Sequence, residues 1–210
     1  DPRHAQWRRD LWRVFVAEFF SRWIPEGGCI IDYGCGTGDF INAVTARRRI
    51  GVDLRSASRD TLDEGVEFSE TEGVLMPGIG DVEADIVFCS NLLEHLPDRE
   101  TVTRLLREFH RVLGPRSRLL LLGSNLQYTG PAYWNFFDHV LAFTHRTGAG
   151  ALATADLEVE TSIPRFLPYT TVGVKRTSLA LVRLYLKVPL VWRVMGAQFF
   201  FVARRVREGS

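Results

Sequence analysis

The chain has 210 residues, which suits one domain over residues 1–210, and its 46% hydrophobic and 24% charged content is ordinary for a globular protein. A formal net charge of +1 removes overall charge as a driving force for binding nucleic acid, so we expect no nucleic-acid partner. The three cysteines lack metal-ligand or disulfide spacing, and no apolar run is long enough to span a bilayer. We therefore expect buried free thiols and a cytoplasmic location.

Residues 1–24 predict one amphipathic N-terminal helix. Arginine and acidic residues occupy one face, and Pro25 with the pair Gly27-Gly28 ends the helix. The other face carries aromatic and aliphatic residues at helical spacing: Trp7, Leu11, Trp12, Phe15, Val16, Phe19, Phe20 and Trp23. We expect this face to pack against the rest of the domain.

Residues 29–123 alternate strands with helical segments. Helical spacing predicts helices over residues 40–46 and 98–113, the second ended by Gly114 and Pro115. Apolar runs predict strands at residues 29–33, 50–54, 66–68, 85–90 and 119–123. This alternation indicates an α/β fold with a doubly wound, mainly parallel sheet and helices on both faces.

Residues 124–210 depart from the simple alternation. Residues 157–163 and 198–204 predict two further strands. Between them, residues 179–194 are apolar and helix-like, with an interruption at Pro189. We interpret this segment as a helical insertion packed over the end of the sheet, and residues 124–210 as the side of the protein that receives a substrate.

A glycine-rich turn, Asp32-Tyr33-Gly34-Cys35-Gly36-Thr37-Gly38, follows the first strand. Three glycines let a ligand approach the backbone closely, where side chains would block it. A dinucleotide fingerprint would require glycine at position 39, where this chain has Asp39. The spacing therefore argues against a nicotinamide cofactor.

Asp53 ends the second predicted strand. In doubly wound sheets, ligands bind beyond the carboxyl ends of the strands, and a carboxylate there can accept hydrogen bonds from both hydroxyls of a ribose. The glycine turn and Asp53 together predict a nucleoside-containing ligand.

The glycine turn and Asp53 resemble motif I and the next acidic position of class I S-adenosylmethionine-dependent methyltransferases. Cys89-Ser90-Asn91-Leu92-Leu93-Glu94-His95-Leu96 resembles the fourth-strand region of the ubiquinone- and menaquinone-type methyltransferase superfamily. The resemblance covers residues 29–123 and implies a seven-stranded, Rossmann-like methyltransferase sheet with S-adenosylmethionine as cofactor. The cofactor contacts that it implies are Asp32, Gly34, Cys35, Gly36, Gly38, Asp53, Leu54, Glu70, Ser90 and Asn91. For the adenine contact Glu70 is preferred, and Asp81 is the alternative.

The resemblance also implies direct SN2 transfer of the sulfonium methyl group, for which no metal is expected. A hydroxyl acceptor would need a general base as well. His95, just past the fourth strand, is one candidate. His139 is the other, with Asp138 to orient it, and His145 comes third.

Elements of the last third resemble a bacterial methyltransferase subgroup associated with glycan or secondary-metabolite pathways: Trp134 to His139, Arg165 to Tyr169, and Gln198 to Arg204. We therefore expect methylation of a hydroxyl on a small-molecule or sugar-containing (glycan) acceptor. The alternatives are C-methylation of a quinone-like or lipid-linked acceptor, and a non-catalytic subunit that binds the cofactor. Arg165 and Tyr169 are candidate acceptor contacts, although a structural role at a packed turn is preferred for both. Peripheral membrane contact and a homo-oligomer are both compatible with the sequence.

Overall fold

The computed structural model describes residues 2–169 and 177–206. Seven strands of the described chain form one sheet, in the order β3-β2-β1-β4-β5-β7-β6. Their bounds are β1 Cys29–Tyr33, β2 Arg48–Asp53, β3 Val66–Glu70, β4 Ala84–Ser90, β5 Leu113–Ser124, β6 Leu157–Ile163 and β7 Gln198–Arg205. The predicted α/β sheet of seven strands is confirmed.

Six α-helices lie within the described residues: α1 Pro2–Glu18, α2 Arg99–Val112, α3 Leu126–Thr129, α4 His145–Ala153, α5 Leu179–Lys187 and α6 Pro189–Met195. Short 3₁₀ helices cover Phe20–Trp23, Ser56–Thr61, Leu93–His95 and Gly130–Asn135. Within the described ranges, no helix combines the length and the apolar character needed to cross a membrane.

The directions of the strands create one edge of the sheet that is suited to ligand binding. Strands β1 to β5 pair in parallel, so their carboxyl ends meet at that edge. Strand β7 is antiparallel to β5 and begins there, with Gln198 opposite Ser124. Strand order reverses around β1, because β2 pairs on one side of it and β4 on the other. Ligands of doubly wound sheets bind at such a reversal.

Two apolar layers cover the two faces of the sheet. On one face, α2 and α4 pack onto β-strand residues such as Val87 and Leu121. On the other face, α1, α5 and α6 pack onto residues such as Ile30 and Phe88. The N-terminal helix is thus part of the core, as its aromatic stripe predicts.

Two local predictions were wrong. Residues 40–43 form hydrogen-bonded turns and residues 44–46 an irregular segment rather than a helix, because Asn42 directs its side-chain amide to Thr61 and Asp63 while Gly38 holds φ at +70°. Strand β5 also starts at Leu113, directly after α2, and includes Gly114 and Pro115. Its pairing with β4 skips from Leu113 to Arg118, and this irregularity accommodates the proline that a regular strand would exclude.

Phe20 anchors the N-terminal segment to the sheet and is fully buried against Phe40, Phe88 and Phe200. We predict that Phe20→Ala lowers the free energy of unfolding by about 3–5 kcal/mol, because truncation leaves a cavity in this aromatic layer. Urea unfolding followed by circular dichroism measures the loss. Phe137→Ala, at a fully exposed phenylalanine, is the control and should change stability by less than about 0.5 kcal/mol. Equal effects of the two changes would contradict the anchoring role.

Candidate functional site

The glycine turn, residues 32–38, leaves the sheet at the strand-order reversal. Its neighbours at that edge are the ends of β2 and β4, with Tyr33 paired to both Val52 and Cys89. The predicted positions Asp53, Glu70 and Asn91 therefore lie at the same edge as the turn, and Asp53 is directly opposite Glu70 in the pairing of β2 with β3.

Backbone N–H groups of the glycine turn are bonded within the protein. Gly34 and Cys35 both donate to the carbonyl of Val52, at 2.8 and 3.0 Å. Gly36 donates to Oδ2 of Asp53 at 2.8 Å. These N–H groups hold the turn against β2. A turn without these free donors suits a ligand that carries no phosphate.

The three glycines of the turn have positive φ angles of +74°, +51° and +70°, but only Gly36 borders open space. A Cβ at Gly34 would meet Leu92 at 3.2 Å, and one at Gly38 would meet Asn42 and Leu62 at 2.8 Å. The close contacts at Gly34 and Gly38 show a packing reason for glycine at these two positions. Gly34 and Gly38 permit packing within the protein, and Gly36 leaves room for a ligand.

Asp53 organises the end of β2. Its Oδ1 accepts from the backbone N–H of Arg55 at 2.9 Å, and Oδ2 is the acceptor of Gly36. Each carboxylate oxygen keeps a second lone pair for a ribose hydroxyl. Leu54, the next residue, is 67% exposed and presents an apolar side chain at the same edge.

Glu70 is exposed and lies at the same edge as Asp53. Asp81 is also exposed but lies elsewhere. Asp81 forms an ion pair with Arg111 at 2.6 Å. Arg111 lies in the last turn of α2, which leads directly into the amino end of β5. This is the opposite edge of the sheet, so the alternative adenine contact at Asp81 is excluded by position.

Asp32 is the most perturbed acid near the turn. Burial raises the pKa of its carboxyl to about 8, against the opposing effect of a hydrogen bond from the backbone of Ile41. Burial also raises the pKa of the Cys35 thiol, which packs toward Gly51 of β2. The side chain of Cys35 therefore belongs to the core.

A cavity of about 980 Å³ is lined by residues that follow β4 and by the helical layer. Asn91, which follows β4 with φ at +48° and hydrogen-bonds Ser90, lines it and is joined to the turn through Leu92, the neighbour of Gly34. Most of the wall is apolar and comes from α1 and α5, with Trp7, Leu11, Trp12, Phe15, Leu181 and Val182 among its residues.

Polar groups gather at one end of this cavity. Glu94 is buried, and its Oε1 is 3.4 Å from the backbone N of Ser124. His95 Nδ1 lies 3.0 Å from the carbonyl oxygen and 3.3 Å from the carboxylate of Asp138. The ring of His139 stacks on Phe136 and lies 5.0 Å from that of His95. We call Glu94, His95 and His139 the histidine cluster.

The fold brings together all three predicted catalytic residues, because the chain after β5 returns to β4. The backbone N–H groups of Val140 and Leu141 both donate to the carbonyl of Glu94. His145, the third base candidate, instead lies at the start of α4, 3.1 Å from the amide of Asn125, and does not line the cavity. Tyr169 lines the cavity, whereas Arg165 binds the carbonyls of Val194 and Gly196 in a structural role.

Sequence reasoning missed three residues near the site. Glu94 lies in the segment from Cys89 to Leu96, whose sequence pattern does not indicate a role for it. Its burial beside His95 and His139 is visible only in the fold. Gln198 lines the cavity, and its Oε1 has no hydrogen-bond partner among the described residues. Arg8 of α1 bonds Thr37 at 2.6 Å and pairs with Asp39 at 2.8 Å, so the N-terminal helix also braces the glycine turn.

The seven-stranded sheet with helices on both faces defines the class of protein as one with a Rossmann-like methyltransferase fold. A family model described as "Methyltransferase domain" matches residues 4–162, and the chain belongs to this family. The protein is thus an enzyme, a methyltransferase that uses S-adenosylmethionine as its cofactor. No curated protein sequence matches the chain.

Solved structures are similar in fold. A chain from the complex of the Haloferax volcanii Trm112 methyltransferase activator with a methyltransferase has 17% identity and a TM-score of 0.69, covering 99% of this chain and 95% of its own. Geranyl diphosphate C-methyltransferase from Streptomyces coelicolor A3(2), in complex with Mg²⁺, geranyl diphosphate and S-adenosylhomocysteine, has 20% identity and a TM-score of 0.64 over 90% of this chain and 76% of its own. Mitomycin 7-O-methyltransferase has 19% identity and a TM-score of 0.64, covering 94% of this chain and 54% of its own.

The open space at Gly36 gives a test of where the cofactor binds. We predict that Gly36→Ala weakens binding of S-adenosylhomocysteine at least tenfold by titration calorimetry, because the new methyl group occupies ligand space. Gly38→Ala is the matched control: it carries similar backbone strain, on the order of 1 kcal/mol, but its methyl group meets Asn42 and Leu62. It should therefore lower the melting temperature more than Gly36→Ala does. Unchanged binding in Gly36→Ala would place the cofactor elsewhere.

Burial of Asp32 predicts a specific pH dependence of stability. Its pKa of about 8 in the folded chain exceeds its ordinary value of 3.8, so between these values the unfolded chain is ionised while the folded chain stays protonated. Stability from this group is therefore present at low pH and lost as pH rises, by at most about 1.4 kcal/mol per pH unit. We predict that Asp32→Asn unfolds at higher urea concentration than the wild type at pH 8, and that the gap closes near pH 4. An equal gap at both pH values would contradict this account.

Proposed function

We propose that the enzyme transfers the methyl group of S-adenosylmethionine to a hydroxyl of a small-molecule acceptor whose body is largely apolar. The observation that carries this proposal is the cavity lined by Asn91 and the histidine cluster, which has apolar walls and one polar end. Cavities of about 300–1,000 Å³ with few placed polar groups are typical of small-molecule sites.

The apolar walls of the cavity favour an acceptor whose body is apolar. They are formed by α1 on one side and α5 on the other, which pack together on the same face of the sheet. A compact sugar would leave such walls in contact with water, while an alkyl, prenyl or aromatic body would cover them. Each buried methylene contributes about 0.8 kcal/mol to binding in this way.

The polar end argues for the position of the reacting hydroxyl. Asn91 lines the cavity, and its neighbour Leu92 contacts Gly34 of the glycine turn, while all three residues of the histidine cluster line the same cavity. In the proposed reaction the acceptor oxygen forms a bond to the methyl carbon, the carbon–sulfur bond breaks, and its electron pair stays on the neutral thioether. The hydroxyl proton leaves at the cluster, where His95 and His139 are the proposed acceptors and Asp138 orients His95.

The proposed cofactor contacts lie along the carboxyl edge of the sheet, and we call these residues together the cofactor groove. We propose that Gly36 and the backbone of Gly34, Cys35 and Gly38 border the methionine and ribose portions. Asp53 binds the ribose, Leu54 and Glu70 contact adenine, and Asp32, Ser90 and Asn91 complete the groove. Support comes from their placement along one edge, with Asp53 buried and bonded to the turn.

The outer surface of α5 and α6 supports an acceptor that is drawn from a membrane. Leu190 and Val194 of α6 are 69% and 75% exposed and do not line the cavity, whereas the exposed Leu181 and Leu184 of α5 also form part of its wall. Residues 161–206 contain no Asp or Glu, so the only charges that α5 and α6 themselves carry are positive. Apolar and basic residues together favour peripheral contact with an anionic bilayer.

C-methylation is the second candidate reaction. The neighbour from Streptomyces coelicolor is named as a C-methyltransferase of geranyl diphosphate, a substrate with an apolar prenyl body, and the mitomycin neighbour is named as an O-methyltransferase. An apolar cavity serves either reaction, whereas a cluster able to take a proton from oxygen favours O-methylation.

A homologous series of acceptors tests the proposal. We predict that kcat/KM for 4-alkylphenols rises with chain length by up to about fourfold per methylene until the cavity is filled, because each CH₂ leaves water. Methyl glucosides, which offer hydroxyls on a compact polar body, are the matched comparison and should react poorly. Mass spectrometry and NMR of the products distinguish O- from C-methylation. Faster turnover of the glucosides would overturn the apolar acceptor, while binding of S-adenosylhomocysteine checks the cofactor site separately.

A further inference from the structure

We propose that Glu94, His95 and His139 form a binding site for a divalent transition-metal ion at the polar end of the cavity. One ligand atom from each of the three residues lies within 4.8 Å of the others. Two imidazoles and one carboxylate are a donor set suited to Zn²⁺, Co²⁺, Mn²⁺ or Fe²⁺. The sequence alone predicts no metal, because His139 is distant in the chain from Glu94 and His95.

His95 is oriented as metal-binding histidines usually are. Its Nδ1 lies 3.0 Å from the carbonyl oxygen of Asp138, a distance at which Nδ1–H donates to that oxygen. The Asp138 carboxylate at 3.3 Å reinforces the same tautomer. The other ring nitrogen, Nε2, then keeps its lone pair for a ligand. Carbonyl and carboxylate partners of this kind fix the tautomer and raise the basicity of a coordinating imidazole.

His139 supplies an independent observation. Its Nδ1 is buried and has no hydrogen-bond partner among the described residues. Buried polar atoms are almost always paired, so this ring nitrogen calls for a partner that the described part of the chain does not supply. The ring is held in place by stacking on Phe136 and by an edge contact with Tyr133 at 4.7 Å.

Glu94 supplies the negative charge. The residue is only 2% exposed, and the backbone N–H of Ser124 is a distant partner at 3.4 Å for its Oε1. A carboxylate removed from water is costly unless a cation or strong hydrogen bonds compensate it. Three protein ligands leave further coordination positions on the cavity side, where a water molecule or the acceptor oxygen can bind.

The catalytic consequence rests on the proposed function. An acceptor hydroxyl bound to the ion becomes more acidic and loses its proton more easily. In that case His95 and His139 act as ligands, and the proton passes to water in the cavity rather than to an imidazole. Metal binding itself does not depend on the identity of the acceptor.

Metal binding to the purified full chain tests the site without reference to activity. After treatment with a chelator and dialysis, titration with Zn²⁺ should show one ion per chain, and Co²⁺ should give the visible absorption of a low-symmetry site. His139→Ala and Glu94→Gln should each weaken Zn²⁺ binding at least 100-fold. His4→Ala, which removes a histidine of α1 outside the cluster, should leave it unchanged.

Binding of S-adenosylhomocysteine in the same samples separates failure of this site from failure of the proposed function. Variants that keep their circular dichroism and bind S-adenosylhomocysteine but lose Zn²⁺ support the site. Absence of stoichiometric Zn²⁺ and Co²⁺ binding in a wild type that binds S-adenosylhomocysteine would overturn it. So would equal loss of metal in His4→Ala. Methyl transfer by metal-free enzyme at the wild-type rate would overturn the catalytic consequence.

Discussion

The hydrogen bond from the Gly36 N–H to the Asp53 carboxylate is the constraint on which the site depends. It ties the turn after β1 to the end of β2, and it is possible only because Gly36 adopts a positive φ angle at low cost. Since the turn uses its own donors to hold its shape, the space at Gly36 is preformed before any ligand arrives. The carboxylate that closes the turn is also the one placed to meet a ribose, so cofactor recognition and backbone geometry share one side chain.

The substrate side is built on a different principle. Its walls come from elements far apart in sequence, α1 and α5, whose only requirement is to bury apolar surface on the same face of the sheet. Its polar end forms because the chain after β5 turns back and hydrogen-bonds the carbonyl of Glu94 through residues 140 and 141. Chemistry at this end therefore depends on a loop that is fixed by backbone contacts, and the side chains of Asp138 and His139 follow from that path.

Much of the sheet was predictable because parallel strands buried on both faces appear as continuous apolar runs. Strands β1, β4 and β6 match their predicted positions closely. The errors arose where local signals competed with tertiary contacts. Gly114-Pro115 signals the end of a helix, yet the helix had already ended, and an irregular pairing with β4 absorbs both residues into β5. Residues 40–46 have helical spacing, but the side-chain bonds of Asn42 hold them as turns and an irregular segment.

The sequence by itself determined the class of fold and a nucleoside-containing ligand, because glycine spacing and an acid at a strand end are local patterns with a direct geometric meaning, and the resemblance of these motifs to methyltransferases implied the cofactor. It proposed His95, His139 and Asp138 separately, as three residues in two segments. Only the tertiary structure decided that they meet, that buried Glu94 joins them, and that Asp81 and His145 lie elsewhere. The physical reason is that the side chains around a substrate are brought together by long-range packing of β4, β5 and the helical layer, which no local pattern encodes.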